Sequence, residues 1–217
     1  LYVTSICSRK CAYCQLGKIN LHTSERRIYV RTDRMMDDLL AAGWRSADVV
    51  TFSGSGEPTL ARNLGEAICA AKAVTGLDAV VLTNAAHLHL KQVVDDLLLA
   101  DRVFCKLDAA DEAMFRRINR PIAGLTLASV AEGIRRFRER FDGFLAVQSM
   151  YSPLAEDQFA AFSKMLSEIR PDEVQLNTPT RAIPREWFIE ARGNYDETPY
   201  PAVEPRPFSS EVVADMA

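Results

Sequence analysis

Short apolar runs alternate with longer amphipathic segments along most of this chain, and that alternation leaves few folds open. The strand-like runs cover residues 1–6, 48–52, 79–83, 102–107, 144–150 and 173–177. Most carry consecutive β-branched or aromatic residues, the composition of strands buried on both faces of a parallel sheet. Helical patterns lie between them, over residues 33–42, 63–74, 90–99, 111–118, 126–141 and 156–169. Boundary residues agree: Asp33 is placed to cap the first helix, Gly43 and Gly76 to end the first two, and Pro171 stands just past the sixth. Crossovers between parallel strands are right-handed, so the helices wrap the outside and the strand ends gather at one mouth. Six such units are fewer than the eight that close a full barrel of about 250 residues. The pattern therefore predicts an α/β fold, a partial (β/α)6 three-quarter TIM-like barrel with parallel strands.

Chemistry-bearing residues fall where that fold would use them. Cys7, Glu57, Asn84, Asp108, Gln148 and Asn177 each stand at or just past the C-terminal end of a predicted strand, the end at which parallel α/β folds bind ligands. Cys7, Cys11 and Cys14 form a tight trio with no fourth cysteine in the same run. Structural zinc sites are closed by four ligands, whereas three thiolates leave one position open. The trio points to a [4Fe-4S] cluster whose fourth iron takes a small chelating molecule. At the end of the second run, Gly54, Ser55, Gly56 and Glu57 make a turn whose glycines let backbone carbonyls approach a ligand ammonium. Glu57 adds a carboxylate and Pro58 stiffens the exit. A tight strand-to-helix turn without a ligand is the other reading of that stretch.

The C-x-x-x-C-x-x-C spacing, Tyr13 immediately before the third cysteine, and a glycine-rich Glu-Pro turn with Ser55 at its first glycine position together resemble the radical S-adenosylmethionine (SAM) superfamily. The resemblance implies the partial barrel, a cluster on Cys7, Cys11 and Cys14, and SAM chelating the open iron through its amino-acid end. Reductive cleavage then gives methionine and a 5′-deoxyadenosyl radical that takes hydrogen from a substrate. It also suggests roles for single residues. The Gly54 to Glu57 turn would receive the SAM amine, and Tyr13 would pack near the adenine or serve as a core aromatic fixing the loop. Asp108 would bind ribose hydroxyls or pair with Lys106. Asn84 would serve the methionyl carboxylate or the next loop's backbone, and Gln148 and Asn177 would face substrate or SAM.

Five further stretches, Cys14 to Gly17, Phe52 to Leu60, Leu82 to Asn84, Ile118 to Pro121 and Val174 to Thr178, are similar to an iron-sulfur oxidoreductase group related to the wyosine tRNA-modifying enzymes. This likeness covers roughly residues 1–185. The upstream cysteines that hold a second cluster in the wyosine enzymes have no counterpart in this chain, which begins at Leu1. A glycyl-radical-activating enzyme is another branch of the same superfamily. From a different class comes a non-catalytic metal-binding module, with His22 completing a Cys3His zinc site. His87 and His89 read as surface loop residues. Cys69 and Cys105 read as buried small hydrophobes rather than cluster ligands.

At 217 residues the chain suits one core domain. Prolines 184, 199, 201, 205 and 207 mark an extended C-terminal tail, so the expected division is a core over 1–185 and a tail over 186–217. The odd cysteine count fits a reducing, cytoplasmic setting. No apolar run approaches the roughly 20 residues that span a bilayer, which argues against a membrane partner. A net charge of -3 provides no basic field for nucleic acid, and the arginines at 116–117 and 135–138 lie in helical patterns as solvated faces. The expected partners are a substrate (small molecule, tRNA or protein) and an electron donor such as flavodoxin or ferredoxin.

Overall fold

Five of the expected strands assemble into one parallel sheet in strictly sequential order, β1-β2-β3-β4-β5. They are β1 (Val49–Phe52), β2 (Asp78–Thr83), β3 (Arg102–Lys106), β4 (Phe144–Met150) and β5 (Glu173–Asn177). The computed structural model describes residues 1–17, 19, 21–150, 158–186 and 201–204. Helices α1 (Thr32–Ala41), α2 (Leu64–Thr75), α3 (Lys91–Leu97), α4 (Glu112–Ile118), α5 (Leu127–Arg138) and α6 (Phe159–Ile169) connect or precede the strands. Register pairs Phe52 with Val81, Thr83 with Cys105, and Lys106 with Gln148, so the strand ends keep level with one another.

Helix α5 shows how the pattern becomes packing. Its apolar positions Leu127, Val130, Ile134 and Phe137 recur at three- and four-residue spacing and are all buried. Each such side chain, fully buried, contributes roughly 1.5–3 kcal/mol. The Thr126 hydroxyl accepts from the Ser129 backbone N–H and Ser129 Oγ bonds back to the N-cap, closing both ends of a capping box. Arg135 and Arg136 pair outward with Glu132 and Glu139, as a solvated face should, whereas Arg138, expected on the same face, is largely covered and pairs with Asp172 at 2.7 Å.

Two expectations need correction. Residues 1–6 form no ladder strand, because they cross the glycine turn after β1 and are tied by single bonds. The Leu1 nitrogen donates to the Thr51 carbonyl at 2.5 Å, and the Ile6 carbonyl accepts from Glu57 N–H at 2.7 Å. Asp33 is not the N-cap of α1: the cap is Arg31, and the Asp33 carboxylate binds the Arg31 guanidinium and the Arg34 N–H within the first turn. The border expected at 185/186 lies just past β6 (Ile183–Pro184), which pairs antiparallel with β7 (Ala202–Val203). The rest of the expected tail, 187–200 and 205–217, lies outside the described residues, as does the start of the helix expected from 156. Gly43 and Gly76 behave as foreseen: both stand at helix ends with left-handed φ of 65° and 68°.

Candidate active site at the cysteine loop

Residues 7–17 contain no helix and no strand, so backbone bonds to the segments at 21–23 and 118–120, together with side-chain hydrogen bonds from the barrel, hold the cysteines in place. Cys7, Cys11 and Cys14 are all partly buried free thiols. They line one cavity of about 190 Å³ together with Arg9, Lys10, Gly17 and the turn residues Gly54, Ser55 and Gly56. The two motifs that the sequence placed about 40 residues apart thus share a wall. Gly56 is required by that closeness: a Cβ there would lie 2.0 Å from the Ile6 carbonyl oxygen. Gly17, with φ of 75°, is overlaid by the C-terminal segment, whose Glu186 carbonyl oxygen would meet a Cβ at 2.1 Å.

Donors converge on the sulfurs. Asn84, just past β2, aims its carboxamide Nδ2 at Cys7 Sγ (3.4 Å) and at Ser8 Oγ (3.1 Å). Asn119, just past α4 and wholly buried, aims its own Nδ2 at Cys11 Sγ (3.5 Å). Burial pushes all three thiols up, Cys14 to about 11; the Glu57 carboxylate adds to the effect at Cys7 and Asp108 at Cys11. Buried thiols of this kind become thiolates when a metal cation takes the proton's place.

The carboxylates of the rim are already engaged. Glu57 Oε1 accepts from Thr59 N–H (3.1 Å), Thr59 Oγ1 (2.7 Å) and Thr83 Oγ1 (2.5 Å), while Oε2 accepts from Asn84 N–H (2.7 Å). Its carboxylate therefore ties the glycine turn to the end of β2. Asp108 accepts from the Tyr13 hydroxyl, from Asn119 Nδ2 (2.6 Å) and from Met150 N–H (2.7 Å), and it lies 3.2 Å from Lys106 Nζ. Although burial works against ionisation, Lys106 and these donors hold Asp108 below the usual carboxylate range. Of the two partners foreseen for Asp108, the structure supplies Lys106. Tyr13 is a loop anchor, its hydroxyl on Asp108 and its ring 5.2 Å from the Lys106 ammonium. Asn84 does serve the next loop's backbone, its Oδ1 accepting from Ala86 N–H at 2.9 Å.

Gln148 and Asn177 sit further round the rim, half-buried. Gln148 Nε2 donates to Gln175 Oε1 at 3.0 Å, and Asn177 stands opposite Met150 at the end of β5. His22 pairs its backbone with Cys7, but its ring Nε2 is bound to the Ser8 carbonyl at 3.0 Å. Among the described residues, no three of His, Cys, Asp and Glu converge closely enough to grip a single ion. His87 is not a surface residue. It is 3% exposed, and burial, His89, Arg26 and Arg9 depress its imidazole to about 4. His89 is exposed as foreseen. Cys105 is buried, but Cys69 is exposed.

Two participants escaped the sequence reading. Asn119 was visible only as part of the Ile118 to Pro121 stretch, 108 residues from the sulfur it reaches. Arg9 looked like a spacer between two cysteines, yet it is 2% exposed.

The sequence profile of the Radical SAM superfamily matches residues 1–169. The chain belongs to the radical SAM superfamily. A UPF0026 protein of Synechocystis is 44% identical over 197 residues, which is 90% of this chain and 74% of that protein. Among solved structures, Streptococcus suis SuiB bound to S-adenosylmethionine superposes with a TM-score of 0.64 at 16% identity, covering 86% of this chain and 39% of that one. Archaeal TYW1 superposes with a TM-score of 0.56 at 15% identity, covering 81% of this chain and 62% of that one. At these identities the likeness is one of fold: the partial barrel of a radical SAM enzyme. No helix among the described residues is long and apolar enough to cross a membrane.

Proposed function

We propose that this radical SAM enzyme holds a [4Fe-4S] cluster on Cys7, Cys11 and Cys14, and cleaves SAM reductively beside the Gly54 to Glu57 turn. A single observation carries the reading: the three sulfurs and the glycine turn line the same cavity. Reduced and bound to SAM, such a cluster supplies the electron that breaks a carbon-sulfur bond, giving methionine and a 5′-deoxyadenosyl radical that takes hydrogen from a substrate.

The chain's own groups do the rest. The carbonyls of Gly54, Ser55 and Gly56 receive the SAM amine, because the two glycines carry no side chain to obstruct it. Glu57 fixes the turn that presents them. Tyr13 and Asp108 fix the cysteine loop against β3, while Gln148 and Asn177 are the rim positions left for substrate or SAM. We assign the electron to a flavodoxin or ferredoxin and the setting to the cytoplasm. The substrate is a small molecule, a tRNA or a protein, and the relation to the wyosine enzymes rests on shared motifs.

The test is anaerobic reconstitution with iron and sulfide, followed by dithionite and SAM. The expected products are 5′-deoxyadenosine and methionine in equal amounts. Fully loaded protein that forms neither contradicts the proposal, and so does a preparation that takes up zinc and no iron.

A further inference from the structure

Arg9 poses a problem that the cysteine loop by itself does not solve. Its guanidinium is buried within the loop's own fold, yet among the described residues no carboxylate lies within ion-pair distance of it. Its contacts are a long hydrogen bond from Nη1 to the Lys106 carbonyl (3.5 Å) and the face of the Phe115 ring, 4.9 Å from the guanidinium carbon. Nε and Nη2 are buried without a partner. A buried cation left in this state costs several kcal/mol. The buried carboxylates offer no relief: Asp108 is taken by Lys106, and Glu57 is saturated by neutral donors.

The missing counter-charge is what the cavity is built to receive. Arg9 lines it with the three cysteines. Three thiolates and the iron-sulfur core they hold are negative overall, and reduction adds one more negative charge. Two buried carboxylates, Glu57 and Asp108, already stand near those sulfurs and oppose that charge. A cation in the wall stabilises the reduced form more than the oxidised one, because Coulomb attraction grows with the added electron and is weakly screened in a buried site. Hydrogen bonds to cluster sulfurs act in the same direction, and Asn84 and Asn119 each direct a carboxamide N–H at a different cysteine.

We infer that Arg9 is a positioning residue for electrons: its buried guanidinium balances the cluster's charge and raises its reduction potential, with the carboxamides of Asn84 and Asn119 adding donors at Cys7 and Cys11. This inference rests on the cluster assignment above.

The experiment is a potentiometric titration of the reconstituted protein without SAM, followed by electron paramagnetic resonance. Iron and sulfide per chain are measured first; a wild-type protein that takes up neither overturns the cluster assignment and this inference with it. At equal loading, Arg9→Met is expected to titrate at a more negative midpoint than wild type, and Arg9→Lys to return towards the wild-type value. Should Arg9→Met fail to retain the cluster, Arg9→Gln keeps a donor towards the Lys106 carbonyl and removes the charge, and its midpoint is read instead. Midpoints of the loaded neutral variants that coincide with wild type overturn the role assigned to Arg9.

Discussion

Glu57 and Asp108 are both buried carboxylates at the mouth of the barrel, and they are satisfied in opposite ways. Glu57, past β1, collects four donors that carry no charge: two backbone N–H groups and two threonine hydroxyls. Asp108, past β3, collects a phenol, a carboxamide and a backbone N–H, and adds the Lys106 ammonium. The first arrangement stitches neighbouring backbone segments, the turn and the end of β2. The second reaches across the barrel mouth to the cysteine loop through Tyr13 and Asn119. One carboxylate shapes the glycine-turn side of the cavity and the other shapes the sulfur side, so a cavity made by two distant stretches is held by two separate networks.

The largest effect expected is on neither carboxylate but on what they frame. Cys11→Ala should abolish retention of iron and sulfide altogether, measured per chain after anaerobic reconstitution. Retention at wild-type level would mean that the networks frame something other than a cluster. Next comes Asp108→Ala, which strands Lys106 in the interior and should cost about 3–5 kcal/mol in denaturant unfolding. Adding Lys106→Met should recover part of that loss, since the unpaired cation is removed with its partner. Absence of any recovery would erase the distinction drawn between the two carboxylates.

Acid should separate them further. The folded pKa of Asp108 is depressed, so its contribution is present above the unfolded value near 3.9 and is lost as pH falls through the lower folded value. Unfolding midpoints followed from pH 6 downwards should therefore fall less steeply below about pH 4 in Asp108→Asn than in wild type.

Glu57→Gln keeps the size and loses one acceptor facing Asn84 or the threonines, at a cost of about 1–3 kcal/mol. No second substitution at a cation should rescue it, because no cation pairs with it. The smallest effect is expected from Tyr13→Phe, which deletes one donor to Asp108 at about 1 kcal/mol and should leave iron content unchanged. A loss of cluster from that variant would make the hydroxyl more than an anchor.

The sheet was legible because β2, β3 and β4 carry short β-branched and aromatic runs without helical spacing, and α5 repeats its apolar residues at helical spacing. Residues 1–6 carry the same apolar content. They stay out of the ladder because they are packed against Gly54 and Gly56, a relation no periodicity reports. The three cysteines and the glycine turn could be read from spacing alone. Their supporting residues could not, since Asn119 comes from the far end of α4 and Arg9 is disguised by its position inside a motif where only cysteines were counted. His87 was misread for a related reason: the loop after β2 turns inward, with Ala85 at a φ of 60°, and carries the imidazole beneath the surface. Local composition foretold the elements, whereas the pairing of buried polar groups across the mouth depended on tertiary distance.

On the proposed function, three sulfurs in one cavity hold a cluster whose remaining iron is open to SAM. Its most direct measurement is the electron paramagnetic resonance spectrum of the reduced, reconstituted protein before and after SAM is added. A [4Fe-4S]+ signal is expected whose g-values shift on addition of SAM and do not shift with 5′-methylthioadenosine, which lacks the amino-acid end. An identical spectrum before and after SAM would contradict it.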